Sequence, residues 1–149
     1  MKTREDNPDD WFMLANERLR GTDALFKSEG VTLLGIEALH EAVERFLKGF
    51  LVARGHKLQR THNLSALLDQ AILHNTAFKR FADLADGLTD QFWAQHYPGG
   101  DLTGVGTDYP LLRSQAEELI ALIETETHSS QNEIPSPPCA PPHQNSSPA

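Results

Sequence analysis

Cysteine is all but missing from this 149-residue chain: Cys139 stands alone, so no intrachain disulfide can staple the fold. A chain of this length buries a core without such staples, and the near absence of cysteine suits a cytoplasmic protein. Long apolar runs are missing too. Stretches such as Phe50-Leu51-Val52-Ala53 fall far short of the roughly 20 apolar residues that a membrane-spanning helix needs. No apolar stretch stands behind Met1-Lys2-Thr3-Arg4-Glu5-Asp6, so no secretory signal is expected. Positive charge is in deficit: 13 Lys and Arg face 21 Asp and Glu, a net charge of −8, which argues against a general nucleic-acid coat protein. Nor does any segment alternate apolar and polar residues long enough to read as a strand.

What is present is unevenly spread. From Arg45 to Leu68 there is no Asp or Glu, while the same window holds Arg45, Lys48, Arg54, Lys57 and Arg60 with His56 and His62. Beyond Arg113 there is no Lys or Arg at all. The window reads either as a solvated basic helix end followed by a loop, or as a local anion-binding patch on an acidic protein. Six of the nine prolines fall between Pro135 and Pro148, among Ser, Gln and Asn. That composition cannot offset its chain entropy by burial. The expected organisation is therefore one helical domain over residues 7–126 and a disordered tail over 127–149.

Helical periodicity fills the domain. Asn7 as N-cap, Pro8 at the first helical position and Asp9 and Asp10 in the first turn mark a start. Trp11, Leu14, Ala15, Leu19 and Leu25 or Phe26 follow at helical spacing, with Gly21 a point where this helix could break. The second helix carries Ile36, Leu39, Val43, Phe46 and Phe50 in 3-4-3-4 spacing, widened by Leu34, Ala38, Ala42, Leu47 and Leu51. So broad an apolar face belongs at the centre of a bundle or is shared with a second subunit. Glu41–Arg45 and Glu44–Lys48 form i,i+4 pairs in the favourable orientation, and Gly55 is a natural stop. A short third helix is capped by Thr61 or Asn63 and turns Leu64, Leu67, Leu68 and Ala71 inward. A fourth carries Phe78, Phe81, Ala85, Leu88 and Phe92. After a Gly-rich stretch from about Gln95 to Thr107, a fifth opens near Asp108–Pro110 and uses Leu112, Ala116, Leu119 and Ile123. These elements fit an all-α, antiparallel helical bundle of about five helices.

Most catalytic and cofactor signatures are lacking. The seven histidines, at 40, 56, 62, 74, 96, 128 and 143, include no i,i+3 or i,i+4 pair, and HExxH is absent, so no metal site is expected. There is no G-x-S-x-G elbow, and Gly104-Val105-Gly106 lacks the strand context and third glycine of a dinucleotide turn. No cofactor and no catalytic residue is assigned. Glu37, Glu41 and Glu44 share one broad helical face and read as a solvated surface, because a di-iron set would need Glu-x-x-His twice and only Glu37–His40 supplies it. The segment Gly55–Leu64 is the most informative. Arg54, Lys57, Arg60 and His62 gather beside the start of the third helix, whose unpaired N–H groups and partial positive charge favour an anion. His62 can also hand over a proton near neutral pH. In the competing reading His62 simply packs against the second helix and bonds to backbone.

At these residues the chain resembles the HEPN domain family, from about Trp11 to Ile123. The match is carried by Trp11-Phe12-Met13-Leu14-Ala15 with Asp23 and Leu25. It continues through Leu39-His40-Glu41-Ala42-Val43-Glu44-Arg45-Phe46-Leu47-Lys48-Gly49-Phe50-Leu51, Gly55-His56, Thr61-His62-Asn63-Leu64-Ser65-Ala66-Leu67-Leu68 and Tyr97-Pro98. The resemblance implies a five-helix antiparallel bundle, often a homodimer. It also implies either a partner of nucleotidyltransferase fold, a bound nucleotide or RNA, or a metal-independent, toxin-like ribonuclease. The ribonuclease branch carries Arg, four to six residues, then His. No histidine here has an arginine at that distance. The nearest substitute, Lys57 to His62, offers a point charge instead of a planar fork. The expected function is a non-catalytic HEPN-type module that binds a nucleotide, RNA or a nucleotidyltransferase-type partner protein, with a degenerate ribonuclease using His62 as the alternative.

Overall fold

The computed structural model describes residues 1–131 with Pro138 and Cys139. Five α-helices follow one another: α1 (Pro8–Glu29), α2 (Leu33–Ala53), α3 (Leu64–Ile72), α4 (Ala82–His96) and α5 (Tyr109–Gln131), with a 3₁₀ segment at Thr76–Phe81 between α3 and α4. No strand occurs among the described residues. The all-α antiparallel bundle expected from periodicity is the architecture found.

Helix ends follow their capping chemistry. The Asn7 side chain accepts from the Asp9 N–H at 3.2 Å, with Pro8 in the first turn. Asn63 accepts from the N–H groups of Ser65 and Ala66. Thr32 and Asn75, which periodicity does not single out, cap α2 and the 3₁₀ segment in the same way. Helix α1 runs unbroken through Gly21, an exposed position where a missing side chain costs propensity and no packing. Past Arg54, Gly55 adopts φ 81 and turns the chain out of α2, a conformation that only glycine takes without strain.

Helix α2 lies at the centre and packs against α1, α3, α4 and α5. Its inward side chains Leu39, Phe46, Leu47 and Phe50 are fully buried, and they meet Leu64 and Leu67 of α3, Phe78, Leu88 of α4 and Leu119 of α5. The breadth of its apolar face is accounted for within one chain, so it no longer argues for a second subunit. Leu34 is the exception to that face, being exposed. Helices α1 and α2 approach closely at Gly49, where a Cβ would stand 2.7 Å from the Phe12 ring and 3.0 Å from Trp11 Cβ. A buried hydroxyl pair pins the other end: Tyr109 Oη and Thr22 Oγ1 are 2.6 Å apart, and Thr22 donates to the Gly35 carbonyl at 2.7 Å.

Two boundaries differ from expectation. The stripe Phe78-Phe81-Ala85-Leu88-Phe92 is buried throughout, but it spans two elements. The backbone at Phe81 (φ −97, ψ 10) separates the 3₁₀ turn from α4. Helix α5 continues through residue 127, where the tail was expected to begin, and ends at Gln131. In this last stretch Thr127, Ser129 and Ser130 turn their hydroxyls back onto the carbonyls of Ile123, Thr125 and Glu126, so these polar side chains are satisfied within the helix. The proline-rich remainder of the expected tail lies outside the described residues, apart from Pro138 and Cys139.

Candidate functional site

Along one side of α2, His40, Glu44 and Lys48 succeed one another at intervals of four, so one helical face carries three polar groups beside its apolar seam. All three are buried. Lys48 Nζ donates to Glu44 Oε1 at 2.6 Å, and the other carboxylate oxygen, Oε2, is 3.0 Å from His62 Nδ1. His40 Nε2 donates to the His62 carbonyl at 2.9 Å, while its Nδ1 is buried without a hydrogen-bond partner, 3.8 Å from Glu44 Oε2. His62, whose side chain is 58% exposed, is therefore held from α2 through both its ring and its backbone.

The electrostatics follow from burial. His40 is fully enclosed and stacked on Phe92 at 4.3 Å. Desolvation pushes its imidazole down to about 4, against the opposing pull of Glu44 and of the His62 carbonyl. Burial alone would raise Glu44, but the hydrogen bonds and charges of Lys48 and His62 outweigh it and keep the carboxyl below its usual range. At neutral pH the stripe thus holds a neutral His40 beside an anionic Glu44. The solvated acidic face expected for Glu37, Glu41 and Glu44 is corrected at Glu44, which is 8% exposed. Glu41 is shared between Arg18 and Arg45.

The four residues proposed for an anion site are engaged in different ways. Arg54 reaches across to α5, bonding Glu126 at 3.1 Å and lying over the Phe50 ring. Arg60 forms a two-pronged, 3.0 Å pair with Glu5 near the N-terminus. His62 takes Glu44. Lys57 is exposed, pairs with no carboxylate among the described residues, and borders a small crevice with Lys48 and Leu67. These pairings differ in weight. Arg60 and Glu5 are both well exposed, and such a pair is worth little and is readily exchanged. Arg54 is largely enclosed and also tied to the Glu126 carbonyl, so it serves the fold.

A run of rings adjoins His62. It contacts Phe92 at 5.6 Å between centroids, and from Phe92 and Trp93 ring contacts continue to His96 and Tyr97. Phe92 is buried, whereas Trp93 and Tyr97 are 49% and 72% exposed. Sequence reasoning overlooked both this edge and the role of His40. The signal for the latter was the four-residue spacing of His40, Glu44 and Lys48 inside an otherwise apolar helix. Among the described residues no group of three or more His, Cys, Asp and Glu could hold a metal ion, and no helix is long and apolar enough to cross a membrane.

The bundle is thus an all-α protein in which a carboxylate from the middle of the central helix, Glu44, holds a histidine at the end of the loop leading into α3, His62. The family model of the HEPN domain matches residues 8–125, and the chain belongs to that family. No curated protein and no solved structure matches it.

Proposed function

We propose that this chain is a non-catalytic, cytoplasmic HEPN module that binds a nucleotide or RNA at the edge running from Lys57 through His62 to the rings of α4. One observation supports this reading above the others: exposed Trp93, His96 and Tyr97 continue from the ring pair of His62 and Phe92. Bases stack on exposed rings for about 1–3 kcal/mol each. Lys57 and the exchangeable Arg60 supply charge to phosphate, while the acidity of the whole chain keeps any such binding local. Pairing with a second copy or with a nucleotidyltransferase-fold protein is the partner reading that family membership suggests. The test is titration of a labelled single-stranded RNA and of ATP at low and high salt. Arg60→Glu should weaken binding far more than Arg18→Glu, whose position is on α1, and Trp93→Ala should cost about tenfold or more. Equal effects of the two charge reversals would sink the proposal.

A second reading, a degenerate ribonuclease, is favoured by the His62–Glu44 bond. A carboxylate that fixes one ring nitrogen leaves the other able to take and return a proton. Its test is RNA cleavage in chelator, abolished by His62→Ala. No cleavage is expected, because no arginine stands at the family's catalytic spacing.

A further inference from the structure

Away from that edge, two histidines meet whose positions are 18 residues apart. His56 lies in the connection between α2 and α3, and His74 in the turn that leaves α3. Their Nε2 atoms are 2.6 Å apart, nose to nose. Both backbones are anchored, His56 N–H to the Leu51 carbonyl at 2.9 Å and His74 N–H to the Ala71 carbonyl at 3.0 Å. Both rings are oriented as well. His56 Nδ1 is 3.2 Å from Gln70 Oε1, and His74 stands edge-on to the buried Phe50 ring at 5.9 Å. With Gln70 accepting from Nδ1–H, the His56 Nε2 lone pair faces His74, which must then donate its Nε2–H across the gap.

We propose that His56 and His74 form a two-histidine binding site for a borderline divalent metal ion of the Zn²⁺, Ni²⁺ or Cu²⁺ class. Neutral imidazole nitrogens are the preferred ligands of these ions. The second ring nitrogen of a ligating histidine usually donates to a carboxylate, a backbone carbonyl or water, and the Gln70 side-chain carbonyl stands in that place for His56. With metal–nitrogen bonds of about 2.0–2.1 Å, two such ligands sit about 2.9 Å apart at a square-planar angle and about 3.4 Å apart at a tetrahedral one, so the rings must part by up to about 0.8 Å and tilt until both lone pairs aim at one point. Both are half-buried and lie outside the helices, which permits that movement. The proton balance is simple. His56 already presents a lone pair, and His74 moves its single proton from Nε2 to Nδ1, so neither neutral ring loses a proton. The remaining coordination positions fall to water or to a ligand of another molecule. Arg54 opposes added positive charge near His74, and Glu126 offsets it. With two protein ligands the affinity belongs in the micromolar range, well short of a structural zinc site. A bound ion would tie together the two connections that flank α3 and steady the loop that carries His62.

The test is calorimetric titration of the full, untagged chain with NiCl₂ and ZnCl₂ near neutral pH, alongside the nitrogen hyperfine pattern of bound Cu²⁺. One equivalent should bind. His56→Gln and His74→Gln should each weaken it by more than tenfold, and Gln70→Leu, which leaves both ligands in place, by about tenfold. His128→Gln and Cys139→Ser should change nothing, and the Cu²⁺ spectrum should show two nitrogen donors in the parent chain only. Circular dichroism establishes that each variant is folded. Absence of binding, undiminished binding in both His56→Gln and His74→Gln, or loss of binding in Cys139→Ser would each overturn the proposal.

Discussion

Acid should loosen this fold through His40. The side chain is fully buried and held at about 4, whereas in the unfolded chain it titrates near its ordinary 6.5. Because the folded value is the lower one, the unfolded chain takes up the extra proton first, and stability falls as pH drops below 6.5. The contribution is fully present above the unfolded value and fully lost below about 4. The gap between 6.5 and about 4 corresponds to about 3 kcal/mol, at about 1.4 kcal/mol per pH unit. Linkage places about 2 kcal/mol of that loss between pH 7 and pH 5. Glu44 acts in the same direction, but its lowered carboxyl matters only at more acid pH, below its ordinary 4.5. His74, also lowered, chiefly by burial, adds a background that a comparison removes. The substitution His40→Gln keeps an N–H to offer the His62 carbonyl and cannot titrate. Urea unfolding of both proteins at pH 7 and pH 5 gives four stabilities. His40→Gln should be the less stable at pH 7, having lost the stacking on Phe92, yet its decline from pH 7 to pH 5 should be about 2 kcal/mol smaller than that of the parent. Equal declines would show that His40 titrates alike in the folded and the unfolded chain, and the account of the buried stripe would be wrong.

Two glycines on helices should respond with opposite signs to the same change. Gly21→Ala, at an exposed mid-helix position with open space around it, should stabilise by up to about 1 kcal/mol through helix propensity. Gly49→Ala places its Cβ 2.7 Å from the Phe12 ring and should destabilise by about 1–3 kcal/mol despite the same gain in propensity. Thermal or urea unfolding of the two variants checks both, and a stabilised Gly49→Ala would mean that α1 and α2 are packed more loosely than the structure has them.

Much of the bundle was legible because its signals are local. The inward stripes of α2, α3 and α5 repeat every three or four residues, and Asn7 and Asn63 announce their caps within two or three positions of the groups they bind. Leu34 escaped because spacing alone cannot tell the first turn of a helix from its buried middle. The split between the 3₁₀ turn and α4 escaped because the stripe of Phe78, Phe81 and Ala85 keeps its side chains inward in either conformation. The site was less legible, for a different reason. The run of sequence without Asp or Glu suggested free cations, but carboxylates arrive through the fold. Glu126 reaches Arg54 from 72 residues away, and Glu5 reaches Arg60 from 55. His56 and His74 likewise meet only in three dimensions, and no motif spacing could have paired them.

The buried stripe of α2 has a consequence for where function resides. A buried ion pair such as Glu44–Lys48 is weak as a stabilising device, since well-packed apolar side chains of similar volume usually serve as well or better. Helix α2 has such side chains at Leu47, Leu51 and its other inward positions. What apolar residues could not do is hold His62. Glu44 divides its two oxygens between Lys48 and the His62 ring, and His40 takes the His62 carbonyl, so three buried groups fix one largely exposed imidazole. Lys48 keeps Glu44 ionised, Glu44 fixes the ring, and the enclosed, neutral His40 fixes the backbone beneath it. The acid sensitivity of His40 and the fixed posture of His62 then have one cause, the burial of a polar row on an apolar helix. That cause directs attention to the His62 edge and its neighbouring rings, and away from Arg54, whose charge is already committed to Glu126.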